Sequence, residues 1–113
     1  MITCSRDKTI LVWKINQNAK QISEFAQITK CLTGHSHFIS DLNLTSDNNY
    51  LLSASWDREM KLWNLSNENI TIFRIFNIDS HDKEIFSCFI SSDTRKIISS
   101  GADGKIKLWN VLG

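Results

Sequence analysis

The stretch Ser53-Ala54-Ser55-Trp56-Asp57-Arg58-Glu59-Met60-Lys61-Leu62-Trp63 has two gapless counterparts in the chain, TCSRDKTILVW at 3–13 and SSGADGKIKLW at 99–109. Each copy places an Asp six residues before a Trp, and Asp7, Asp57 and Asp103 lie 50 and 46 residues apart. A fixed period of this size is the mark of a repeat architecture, in which each unit buries its apolar face only by stacking on a neighbour. Features upstream keep the same register. His35 precedes Asp57 by 22 residues and His81 precedes Asp103 by 22, while Ser46-Asp47 and Ser92-Asp93 each fall ten residues before the anchor aspartate. Those Ser-Asp pairs open the turn-like runs SDNN and SDTR. Asn48 and Asn49 stand where a turn often uses glycine, and Asn tolerates the left-handed conformation better than most residues.

Between the landmarks the chain reads as short strands rich in β-branched and aromatic residues: 38–44, 50–54, 60–65, 85–90, 96–100 and 105–109. Alternation in Lys105-Ile106-Lys107-Leu108-Trp109 predicts one wet face carrying the lysines and one packed face carrying Ile106 and Leu108. No stretch sustains helical periodicity. The expected class is all-β.

Composition excludes several functions. With 13 basic and 12 acidic residues in 113, the net charge of +1 gives no bulk attraction for nucleic acid or anionic lipid, so any such contact rests on a local patch. No apolar run approaches the roughly 18 residues of a spanning helix, and no membrane partner is expected. The first ten residues, MITCSRDKTI, lack the apolar core of a secretory signal, which points to a cytoplasmic protein. Cys4, Cys31 and Cys88 are odd in number and never spaced C-x-x-C, so buried thiols are expected rather than a disulfide framework or a zinc site. No cofactor and no metal are expected. The N-x-[ST] triplets at Asn43, Asn64 and Asn69 are read as chance matches in an Asn-rich chain.

Ser, His and Asp recur together, which on its own suggests a hydrolase triad. No nucleophile elbow of the G-x-S-x-G type accompanies them, and they repeat at fixed register. A buried polar network within each repeat explains the same residues, because a buried indole N–H and an imidazole both need partners. His37 lies outside this pattern and reads as a loop histidine packing near Phe38. The lysines of 105–109 read as a solvated strand face.

The pattern GH…SD…S-x-S-W-D…LW resembles the WD40 repeat family, whose four-stranded blades surround a central channel. The resemblance implies an open propeller of about two and a half blades, with 1–33 as the end of a first blade, 34–79 as a second, and 80–113 as a third lacking its last strand. It also implies a structural tetrad of His, Ser or Thr, Asp and Trp: His35, Ser53, Asp57 and Trp63 in the second blade, His81, Ser99, Asp103 and Trp109 in the third, and only Thr3, Asp7 and Trp13 in the first. An open propeller leaves strand edges and blade faces uncovered, so marginal stability alone, or a need for the missing blades, is expected.

The segments SRDKTILVWK, LTGHSHFISDLNLTSDNNYLLSASWD and KIKLWNVLG are further similar to the receptor-for-activated-C-kinase family of Gβ-like scaffolds. This resemblance implies a non-enzymatic scaffold on the small ribosomal subunit, contacting rRNA and ribosomal proteins and linking translation to signalling partners such as protein kinase C. Its first-blade R-D-K turn faces ribosomal RNA, which falls here on Arg6 and Lys8. Trp56, at the position equivalent to Arg6 and Ala102, is a candidate partner-binding residue. The alternative is a generic WD40 adaptor of Gβ-like or ubiquitin-ligase type. The chain departs from the family in having Ala102-Asp103-Gly104 for a third-blade R-D-K, Ser80 where Gly precedes the His, and 18 residues from Trp63 to His81, which predicts a longer outer strand or loop there.

Overall fold

The structure is a computed structural model that describes residues 1–18, 20–76 and 81–112; Ser80 lies outside the described residues. The chain runs as an antiparallel meander of ten strands in three sheets: β1 (Ile2–Cys4), β2 (Ile10–Ile15) and β3 (Ala26–Leu32); β4 (Ile39–Leu44), β5 (Tyr50–Ser55), β6 (Met60–Asn64) and β7 (Thr71–Phe76); β8 (Ile85–Ile90), β9 (Lys96–Gly101) and β10 (Ile106–Asn110). One helical turn, α1 (Ile22–Phe25), lies between β2 and β3. The fold is all-β and open, three stacked sheets of three, four and three strands among the described residues.

The sequence repeat is a repeat of geometry. Displaced by 46 residues, β4, β5 and β6 fall on β8, β9 and β10. Irregular points repeat too: β4 bulges against β5 between Ile39 and Asp41, and β8 against β9 between Ile85 and Ser87. A second bulge falls beside the tryptophan of the third strand, at Val12/Trp13 and at Leu62/Trp63. A bulge re-aims the strand and raises its twist, and its recurrence shows that each unit is bent alike.

The sequence-derived strands coincide with β4, β5, β6, β8, β9 and β10 to within a residue or so at each end. Strand β7 supplies the longer outer element expected after Trp63.

Packing is asymmetric. The middle sheet is sandwiched, and Leu51, Leu52, Ala54, Met60 and Leu62 are all 0–1% exposed. One face joins Ile10, Leu32, Ile39 and Trp63 against the first sheet; the other joins Met60, Ile85, Ile90, Ile97 and Val111 against the third. Each fully buried aliphatic side chain contributes about 1.5–3 kcal/mol. Polar stitches tie β4 to β8: Asp41 Oδ2 accepts from Ser87 Oγ at 2.6 Å and from the Cys88 N–H at 3.0 Å, and Asn43 Oδ1 accepts from the Ile90 N–H at 3.1 Å.

The flanking sheets have no sheet on their outer faces among the described residues, and this reverses one expectation. Ile106 and Leu108 are 79% and 65% exposed, whereas Lys107 lies over the half-buried Trp109 ring, 5.7 Å from its centroid. Their face is the one that would meet a further sheet. The same cause corrects the expectation of buried thiols: Cys88 is buried and Cys4 half-buried, but Cys31, paired with Leu11 on the outer face of the first sheet, is exposed.

Turn residues carry the backbone strain. Asn48 and Thr94 occupy the same turn position with φ of 60°, as do Lys8, Arg58 and Gly104 with φ of 70–75°. Asn49 does not share the left-handed conformation. Asn accepts this region readily, but a β-branched residue there is strained. Thr94→Gly is therefore expected to stabilise the fold by about 1 kcal/mol, read as a raised urea midpoint, while Asn48→Gly changes it by only a few tenths.

Candidate functional site

Trp63 sits on β6 beside Ser53 on β5, and their side chains meet: the indole Nε1–H donates to Ser53 Oγ at 2.9 Å. Ser53 Oγ lies 2.7 Å from His35 Nε2, and His35 Nδ1 lies 2.7 Å from Asp57 Oδ2. An ionised carboxylate only accepts, so Nδ1 carries the proton and Nε2 takes the serine hydroxyl's, the alternative Lys61 carbonyl being farther at 3.4 Å. All donors then point one way, Trp to Ser to His to Asp, and each bond polarises the next. Gly34, at φ of 154°, lets the chain pass close over Trp63, where a Cβ would stand 3.3 Å from the ring.

The third sheet repeats the set. Trp109 Nε1–H donates to Ser99 Oγ at 2.9 Å, Ser99 Oγ is 2.8 Å from His81 Nε2, and His81 Nδ1 is 2.8 Å from Asp103 Oδ1. In the first sheet only the Trp13 to Thr3 bond forms, at 2.8 Å. Asp7 is not joined to it; its carboxylate takes the Thr9 hydroxyl and N–H within its own turn.

Burial alone would raise the Asp57 carboxyl, but the His35 hydrogen bond, with the backbone N–H groups of Glu59 and Ser36, outweighs it and holds the group below its usual range. Asp103 feels the same opposition. Burial pushes it up, while His81 and the N–H groups of Lys105 and Asp82 bring it down to about 2.

These serines cannot meet a substrate. Ser53 and Ser99 are 0% and 1% exposed, and each hydroxyl already holds an indole and an imidazole. His35, Asp57 and Glu59 are also the one group of three potential metal donors among the described residues. Their ligand atoms are spent on the protein: Asp57 takes the His35 proton, and Glu59 Oε2 is 2.5 Å from the Nζ of buried Lys61.

At the turn end of the first two sheets a surface cluster forms. The Arg6 guanidinium carbon is 5.7 Å from the centroid of the Phe38 ring, Phe38 is 5.4 Å from Trp56, and Trp56 is 5.8 Å from His37. Arg6, His37 and Trp56 are exposed, with Trp56 at 37%. Two sequence-derived candidates, Arg6 and Trp56, thus share one patch bridged by Phe38. Lys8 is exposed in the same turn as Arg6. Phe38 carries no signal in the repeat pattern because it precedes a strand rather than occupying a repeat position. The hairpin register is the signal that finds it: pairing Ile39 with Ser55 sets Phe38 beside Trp56, whose N–H donates to the Phe38 carbonyl at 2.9 Å. Arg58, at the repeat position of Lys8, is a further cation on this type of turn that the sequence reading does not single out.

No helix among the described residues is long and apolar enough to cross a membrane. The family pattern "WD domain, G-beta repeat" matches residues 26–64 and 73–110. Among curated relatives, "Small ribosomal subunit protein RACK1" of Drosophila melanogaster is 48% identical over 66 residues, which cover 58% of this chain and 20% of the relative. The protein of the same name from Brassica napus is 44% identical over 66 residues, covering 58% of this chain and 19% of the relative. "Cross-pathway control WD-repeat protein 2" of Flammulina velutipes is 41% identical over 66 residues, with 58% and 20% covered. The aligned part of the chain thus spans about a fifth of the length of these relatives. With two matched repeats over more than half its length, each built from antiparallel strands around a Trp–Ser–His–Asp chain, the protein belongs to the WD40, or G-beta repeat, family.

Proposed function

We propose that the chain is part of a non-enzymatic WD40 scaffold that docks on the small ribosomal subunit in the cytoplasm and presents signalling proteins, such as a protein kinase C, to the translation machinery. The observation that carries the reading is the patch of Arg6, Phe38, Trp56 and His37 beside Lys8, on a chain similar to proteins named for the small subunit. Arg6 and Lys8 flank Asp7 on a tight turn and supply cations to rRNA phosphates. Trp56 and Phe38 offer an aromatic anchor to a neighbouring protein. His35, Ser53, Asp57 and Trp63, with His81, Ser99, Asp103 and Trp109, and with Thr3, Asp7 and Trp13 in the reduced first blade, hold the blades that display this surface. The blades divide as 1–33, 34–79 and 80–113. Burial of both network serines supports a scaffold over a hydrolase.

The test is co-sedimentation of the folded chain with small ribosomal subunits at low and moderate salt, against an Arg6→Asp, Lys8→Glu double variant. Binding that weakens with salt, and about 100-fold in the variant, supports the reading, since reversing two phosphate-facing charges removes counterion release and adds repulsion. Equal binding by both forms sinks the role of this turn. A folded chain that stays off the subunits, while a longer chain carrying further blades also stays off, favours an adaptor of another complex.

A further inference from the structure

We propose that the chain self-associates head to tail, the outer face of β8–β10 in one copy packing on the outer face of β1–β3 in the next. Two internal interfaces are the template. In the middle sheet Leu52, Met60 and Leu62 cover the third sheet and are fully buried. Displaced by 46 residues they become Ile98, Ile106 and Leu108, which are 46%, 79% and 65% exposed. The third sheet therefore offers to solvent the very surface that the preceding sheet uses to cover it. Phe89, directly paired with Ile98 and 58% exposed, extends that face.

The complementary surface is on the first sheet. Leu51 and Trp63 form the face by which the middle sheet receives the first, and displacement of Trp63 by 50 residues gives Trp13. Trp13 pairs with Ile28, which is 55% exposed, and Leu11 pairs with exposed Cys31, so these four share one outward face. The polar stitches agree with this pairing. At Ser40 and Asn43 the middle sheet hydrogen-bonds the backbone of β8, whereas the repeat-equivalent residues of the third sheet are Phe86 and Phe89, which can form no such stitch. A facing sheet that begins at β1, with no innermost strand among its three, needs none. An apolar patch of this kind, rimmed by polar turns, marks an association surface. Because the two faces differ, the contact is heterologous and propagates instead of stopping at a dimer.

Sedimentation velocity over micromolar to hundreds of micromolar concentration tests this, with Leu108→Lys blocking one face and Ile28→Lys the other. Both positions are more than half exposed, so the variants keep the fold, which tryptophan emission checks. The wild-type chain is expected to form concentration-dependent species larger than dimers. Each variant alone loses at least about 30-fold in association, and a mixture of the two forms a one-to-one dimer and nothing larger, because one intact pair of faces remains. A wild-type chain that stays monomeric overturns the proposal. So does assembly abolished by Leu108→Lys but untouched by Ile28→Lys, which means like faces pair, or a mixture that stays monomeric.

Discussion

Replacing His35 by alanine lowers the unfolding free energy by about 3–5 kcal/mol, a large part of what a small domain possesses. The imidazole side chain is 0% exposed and the Asp57 side chain 3%, so its removal leaves a buried carboxylate without its closest donor and the Ser53 hydroxyl without its acceptor. The Ser53 to Trp63 bond survives, as the first sheet shows where Trp13 holds Thr3 without any histidine. Denaturant unfolding followed by tryptophan emission measures the change. His37→Ala, at an exposed ring that touches only its aromatic neighbours, is the control and shifts stability by no more than about 0.5 kcal/mol. Equal midpoints for the two variants would mean that the buried network adds nothing to the fold.

Acid unfolds the chain between about pH 4 and about pH 2, and without any change near neutrality from these carboxylates. Asp57 and Asp103 are held below the ordinary carboxylate range, Asp103 to about 2, and the turn aspartates Asp47 and Asp93 are lowered by hydrogen bonds from Thr45 and Ser91 and from backbone N–H groups. A carboxyl depressed in the folded state binds protons more readily when unfolded. The stability it contributes is therefore complete above the unfolded value of about 3.9 and is lost as pH falls through the folded one. Circular dichroism across pH 6 to about 1.5 follows the transition. An Asp57→Asn, Asp103→Asn variant starts less stable and shows a shallower pH slope; an unchanged slope would remove both groups from the account.

Repeat register made the fold legible. The displacement of 46 residues that relates His35, Asp57 and Trp63 to His81, Asp103 and Trp109 also relates β4, β5 and β6 to β8, β9 and β10, so landmarks in one unit located strands in another. Strand β3 was harder to see, because Gln27, Thr29 and Lys30 interrupt its apolar residues and only Leu32 is buried. The misjudged face of β10 has a different origin. Alternation tells which side chains share a side, but whether a side is covered depends on the next sheet, which no pattern within five residues encodes. The surface cluster was half legible: Arg6 and Trp56 stood out by position in the repeat, whereas Phe38 enters only through the pairing of Ile39 with Ser55.

The residue after each anchor aspartate has a positive φ whether it is Lys8, Arg58 or Gly104. The hairpin fixes that angle, so the backbone path there is independent of which side chain follows the aspartate. Glycine would hold the angle with the least strain, and the third unit has it; the first two hold a long cation in its place, at a cost of about 1–2 kcal/mol each. Each blade thus has a socket of constant shape into which different chemistry can be written without redrawing the strands. A stack of near-identical units acquires an individual surface code in this way, and the strained positions are where its letters are read.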